Sequence, residues 1–118
     1  MKFNTPELLK ALDQLESRQY AAAVVVLKLL AEAGNPKAQC NLATCYQCGW
    51  GVEMDAQEAV RLYEIVAKQN IRDEHLSAIA CNNVAGIYSC GAPGVTPDHQ
   101  KAEEYRRLSQ SLGFPMAL

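Results

Sequence analysis

The sequence predicts an all-α chain: about three antiparallel helix pairs stacked as an α/α superhelix (a solenoid) in a single domain, residues 1–118. Three observations carry this reading. A block of sequence recurs along the chain, as it does where each structural unit buries its apolar face only against the next. Helix-start signals fall at the block boundaries. No stretch alternates apolar and polar residues with period two over a useful length, so strands do not compete.

The repeat is clearest between Ala38–Lys68 and Ala80–Gln110. Asn41, Ala43, Tyr46, Cys48 and Gly49 match Asn83, Ala85, Tyr88, Cys90 and Gly91, each 42 residues later. After a one-residue insertion, Gly51, Val52, Asp55 and Ala59 match Gly94, Val95, Asp98 and Ala102. A partial third copy precedes these: Ala23, Val24, Val26, Leu29 and Gly34 lie 36 residues before Ala59, Val60, Leu62, Ile65 and Asn70.

Taken in order, residues 5–34 form a divergent first pair, with an A helix near 6–16 and a B helix near 18–33. Thr5-Pro6 supplies a capping hydroxyl and then a proline whose missing N–H costs nothing at the first helical position. Val24-Val25-Val26 is locally strand-like, but its place in the repeat makes it helical. Gly34 sits where a helix ends in a left-handed residue. The second pair, residues 36–70, opens at Asn35-Pro36 with an A helix near 36–48. Its B helix, near 55–69, starts at a capping box of Asp55 and Glu58. The Gln69–Ser77 insertion lengthens one connection or the start of the third A helix. The third pair, residues 74–113, has helices near 74–90 and 98–112 with Gly113 at its end, leaving 114–118 as a tail. Gly49, Gly51, Gly91 and Gly94 reverse the chain within pairs.

The pattern Ala-x-x-x-Leu-Ala-x-x-Tyr-x-x-Gly-x-Gly-Val-x-x-Asp-x-x-x-Ala, Ala38 to Ala59, resembles the Sel-like repeat (SLR), a subgroup of the tetratricopeptide (TPR)-type helical repeats. The resemblance covers residues 36–113; the first pair, with Tyr20-x-x-Ala23 opening its B helix, looks like a more ordinary tetratricopeptide unit. It implies a superhelix with A helices lining a concave surface, adaptor or scaffold work, and no activity of its own. The residue types have an independent reason. Ala43, Ala85, Ala59 and Ala102 are small where paired helices cross closely. Tyr46 and Tyr88 fill the space between pairs, each hydroxyl with a route to a polar partner. Val52 and Val95 anchor the loops.

Bulk properties bound the function. With 49% hydrophobic and 20% charged residues, the 118-residue chain reads as one folded domain. A net charge of -2 offers no footprint for nucleic acid or an anionic membrane. The N-terminus lacks the apolar core of a signal peptide, and the longest apolar run, Tyr20 to Leu27, is too short to span a bilayer. A soluble, cytoplasmic protein is expected. Five cysteines, an odd number, fit a reducing compartment.

On the concave face the family register points Lys37, Cys40, Asn41, Thr44 and Gln47 outward, with Ile79, Asn82, Asn83, Gly86 and Ser89 equivalent in the last pair. Such short polar side chains suit an extended peptide or a partner helix. Asn41 and Asn83 equally read as braces on neighbouring backbone. A carboxylate clamp of Lys and Asn pairs is not complete: only Lys37 supplies a cation, and Ile79 stands in its matching place. A second surface comes from the B helices. Outer positions Gln57, Glu58, Arg61, Glu64 and Lys68, and Gln100, Lys101, Glu104, Arg107 and Ser111, are polar. Their counterparts on the first B helix are Ala21, Ala22, Val25, Lys28 and Glu32. A helix apolar nearly all round is normally covered, here by the N-terminal helix, the 114–118 tail or a second copy. Ala21, Ala22 and Val25 are therefore a candidate dimer or partner contact.

The cysteines admit three readings. Cys45-x-x-Cys48 has metal or redox spacing, but no second CxxC or His pair completes a zinc site, and His75 and His99 lie at helix starts. Cysteine-rich members of the family join A and B helices by disulfides; here Cys40, Cys45, Cys48, Cys81 and Cys90 all fall in A helices, against such bridges. Small buried thiols at the ends of the A helices, Cys48 and Cys90 among them, are expected. Tyr105, Arg106 and Arg107 read as a solvated face with one core tyrosine. No catalytic residue, metal or cofactor is expected. The functional reading is a non-catalytic protein–protein module: a bacterial adaptor, a secretion chaperone or an immunity-type binder. Its alternatives are a self-associating structural protein using the first B helix, or a thiol- or zinc-dependent protein.

Overall fold

The computed structural model describes residues 3–69 and 75–112. They form six helices: α1 (Pro6–Glu16), α2 (Tyr20–Glu32), α3 (Pro36–Cys48), α4 (Ala56–Lys68), α5 (Leu76–Cys90) and α6 (His99–Ser111). Each packs against the next in sequence, and α3 also touches α5 directly, as neighbours on the inner row of a curved stack do. Three antiparallel pairs therefore stack as a helical-repeat solenoid, the fold class expected.

The starts follow from the caps. The backbone N–H groups of Leu8, Ala38, Glu58 and Lys101 donate to the side chains of Thr5 (3.2 Å), Asn35 (3.1 Å), Asp55 (3.1 Å) and Asp98 (3.0 Å). The Asp55 capping box forms only by half. The Asp55 N–H is taken by the Tyr46 carbonyl instead, and the Glu58 carboxylate accepts from Arg61 Nε and Nη2 at 2.6 Å each. α2 starts two residues later than expected, because Arg18 turns the chain in a left-handed conformation (φ 63°) that the sequence does not announce with a glycine. Gly34, at φ 92°, follows α2 as expected; Gly113 and the 114–118 tail lie outside the described residues.

The loops inside the second and third pairs are built alike. The N–H of Asp55 donates to the Tyr46 carbonyl at 2.9 Å, and that of Asp98 to the Tyr88 carbonyl at 2.8 Å. The second loop adds a small bridge between Ala92 and Val95. Gly51 is obligatory: at φ 73°, a Cβ there would lie 2.6 Å from the carbonyl oxygen of Tyr20. This close approach seats the loop on the start of α2, where Trp50 stacks on Tyr20 with ring centroids 5.2 Å apart.

The core runs unbroken through the stack. Ala43, Ala59, Ala85 and Ala102 are fully or almost fully buried, and Val52 and Val95 pack against the core. Three buried polar side chains bond successive helices together. Gln39 of α3 donates to the Ala31 carbonyl (3.2 Å), Ser77 of α5 to that of Val66 (3.0 Å), and Ser109 of α6 to that of Ala78 (3.0 Å). Each carbonyl accepts a second bond in a dry environment, which favours one helix register over its slips.

Candidate functional site

The polar residues expected on the inner row centre on a side chain from behind it. Tyr63 of α4 is 1% exposed, yet its hydroxyl emerges between α3 and α5. It donates to Gln47 Oε1 at 3.0 Å and lies 2.8 Å from Thr44 Oγ1. Asn83 of α5 bonds to the same hydroxyl. Burial pushes this phenol up to about 12, against the opposing pull of the Thr44 bond. It stays neutral, a fixed donor and acceptor.

The remaining candidates divide by position. Asn41 donates to the Lys37 carbonyl at 2.8 Å, so its amide braces its own helix. The Lys37 ammonium donates to Asn4 Oδ1 at 2.6 Å, bringing the chain start onto α3. Cys40 is buried and forms wall rather than surface. Asn82, Asn83, Ile79 and Ser89 are half-buried, while Gln47 and Gly86 are exposed. Thr44 and Gln47 of α3 thus meet Asn83 of α5 through Tyr63, while Lys37 stands apart at the start of α3. Tyr63 escapes the sequence pattern because it breaks the repeat: the first B helix has Leu27 in that column. A phenol where a sibling helix carries a core leucine was the available signal.

The outer surface differs from the expectation at Glu64. Glu64 is half-buried rather than on the outer face, because the Tyr105 hydroxyl donates to its carboxylate; burial and that negative neighbour both push the Tyr105 phenol up. Arg106 and Arg107 both pair with Glu103, at 3.7 and 3.3 Å. Leu29, which the repeat aligns with Ile65, is 65% exposed, and Val25 is 62% exposed. The N-terminal helix does not cover this stripe: α1 packs on α2 and leaves Val25 and Leu29 exposed.

All five cysteines are free thiols. Cys48 and Cys90 are exposed, not buried as expected. Each is the last residue of its helix, where the following glycine turns the chain away and no neighbouring helix covers the thiol. Cys40, Cys45 and Cys81 are buried, and desolvation pushes each thiol up to about 11. Among the described residues no three His, Cys, Asp or Glu side chains converge as metal ligands, and no helix is long and apolar enough to cross a membrane.

Residues 36–71 and 78–108, more than half the chain, match the Sel1 repeat family model. Among solved structures, the chain resembles a Sel1 repeat protein from Oxalobacter formigenes with a TM-score of 0.74 at 25% identity, covering 87% of this chain and 40% of that one. It thus spans less than half the length of that relative. A protective antigen of uropathogenic Escherichia coli strains with an SLR fold aligns at a TM-score of 0.44 and 19% identity, over 80% of this chain and 27% of that one. No curated protein matches.

Proposed function

Since the chain belongs to the Sel1 repeat family, whose members generally serve as protein–protein interaction modules, we propose that it grips a protein or peptide on its A-helix face without catalysing a reaction. The observation that carries this reading is the Tyr63 hydroxyl gathering Thr44, Gln47 and Asn83 between α3 and α5. These neutral side chains, with Asn82 and Ser89 beside them, offer amide and hydroxyl groups held in place before a ligand arrives. A preorganised polar row recognises the backbone of an extended segment or the polar edge of a helix at little ordering cost. Lys37, tied to Asn4, is the one cation of this set. The thiols of Cys40, Cys45 and Cys81, pushed up by burial, are poor nucleophiles. An adaptor, chaperone or immunity-type binder working in the cytoplasm, without nucleic-acid or membrane partners, is the corresponding role.

The test is affinity capture from native lysate, repeated with Gln47→Ala, Asn82→Ala and Val25→Glu. A partner lost with the first two and kept with the third supports the A-helix face. A partner kept with the first two and lost with the third overturns it. A second reading, self-association through α2, is favoured by the exposure of Val25 and Leu29.

A further inference from the structure

Gly86 lies inside α5, on an exposed face, and nothing within the chain requires a glycine there. The other five described glycines all sit at positive φ, where a side chain is strained; Gly86 does not. A Cβ built on it would meet nothing within 4 Å, so no packing contact excludes one. Glycine in a helix interior is less stable than alanine, because its unfolded backbone has more freedom to lose. What Gly86 provides in return is bare main chain at the surface. It follows Asn83 by about one turn, on the same side of α5.

The hydrogen bonds of the neighbouring polar row fix what it offers at that spot. The Tyr63 hydroxyl has one proton, and it goes to Gln47 Oε1 at 3.0 Å. Thr44, with Oγ1 2.8 Å away, and Asn83 both pull the phenol down, as groups donating to its oxygen do. The Gln47 oxygen is thereby taken, and its Nε2 is the group left for solvent. Among the described residues nothing accepts from that nitrogen. The row therefore presents an oriented, uncharged N–H donor on an exposed residue.

Resting on the A-helix-face reading, we propose that the occupant is the main chain of an extended segment, which passes over Gly86 and gives a carbonyl oxygen to Gln47 Nε2. An extended segment carries unpaired carbonyls along its length, whereas a helix spends its own internally except in the last turn. A main chain also comes closest where the surface lacks a Cβ. Charged ligands fit less well. An ammonium would meet the Gln47 N–H groups, and a carboxylate would find the cation of this face, Lys37, apart at the start of α3 and bonded to Asn4. The oriented donor occurs once along the stack, because the Tyr63 column carries Leu27 on α2 and Arg106 on α6. One carbonyl of the segment is therefore singled out, and its position sets the register of the bound chain.

The probe is a pooled library of short, uncharged peptides, acetylated at one end and amidated at the other. Peptides selected on the wild-type chain are measured again on variants by fluorescence polarisation. Gly86→Ala is expected to raise the urea midpoint and yet weaken binding by about tenfold. A glycine with only a structural role would not drive stability and binding in opposite directions. Gln47→Glu keeps an acceptor for the Tyr63 proton but turns an oxygen outward, and weakens binding by at least about tenfold. Unchanged binding in Gly86→Ala overturns the close approach. Unchanged or tighter binding in Gln47→Glu overturns the donor role. If no peptide is selected while the lysate partner still depends on Gln47, the extended occupant is overturned and the A-helix-face reading stands. Peptides that bind Gln47→Ala and Asn82→Ala as well as wild type overturn both.

Discussion

The hydroxyl of Tyr63, on an outer-row helix, donates to Gln47 Oε1 on the inner row at 3.0 Å, while the ring beneath it is 1% exposed. A core residue therefore sets the orientation of a surface residue. Removing only the hydroxyl separates the two roles. Tyr63→Phe keeps the packing but leaves Thr44 and Gln47 without their shared partner. A cost of about 1–2 kcal/mol is expected in urea unfolding. Gln47→Ala, at an exposed site, should change stability by less than about 0.5 kcal/mol. If the A-helix face holds the partner, both variants weaken binding in titration calorimetry, and only the first weakens the fold.

The glycines at the second position of each loop look interchangeable in sequence and are not so in space. A Cβ on Gly51 would meet backbone, the Tyr20 carbonyl oxygen at 2.6 Å. On Gly94 it would meet the flexible Gln57 side chain at 3.3 Å. Both sit at positive φ, 73° and 80°. Gly94→Ala should cost about 1 kcal/mol, the left-handed penalty alone. Gly51→Ala should cost at least about 2–3 kcal/mol, since the loop must also lift from α2. Urea midpoints of the two variants measure the difference. Equal values would mean that the loop does not seat on α2.

How far the sequence reveals such differences depends on whether a position is decided locally. The caps Thr5, Asn35, Asp55 and Asp98 and the loop glycines act through backbone geometry within a few residues, so the starts of α1, α3, α4 and α6 are legible. α2 and α5, which have no capping side chain, are legible through the repeat. The left-handed turn at Arg18 is not, because arginine carries no turn signal. The site is less legible than the fold. Cys48 and Cys90 align as repeat positions, which established equivalence but not burial. Leu29 aligns with Ile65, but Ile65 lines a groove against α2, and no described helix precedes α2's own pair to do the same for Leu29. Tyr63 was hidden because its partners arrive from two other helices, a relation that only stacking creates.

The thiols divide by accessibility. Cys48 and Cys90 are exposed, and Cys40, Cys45 and Cys81 are buried. An aromatic disulfide reagent at pH 8 should titrate two thiols at once and the other three only at the rate of unfolding. Immediate reaction of all five would mean that the core opens far more readily than its packing implies.

Those buried thiols also make stability fall in alkali. Cys40 rises from its ordinary 9.0 to about 11 through burial, and Tyr63 from 10.0 to about 12. A raised value means that the folded chain holds its proton longer than the unfolded one. Above pH 9 the unfolded state therefore binds fewer protons, and unfolding is favoured as pH rises. The contribution of the neutral Cys40 thiol is intact below pH 9 and is lost as pH climbs through about 11; that of the Tyr63 phenol is lost between 10 and about 12. Urea midpoints should be level near pH 8 and decline from pH 9 upward. Cys40→Ala removes one titrating group and should shallow the decline between pH 9 and 11, whatever it does to stability at pH 8. An unchanged slope in that variant would mean that Cys40 meets water in the folded chain.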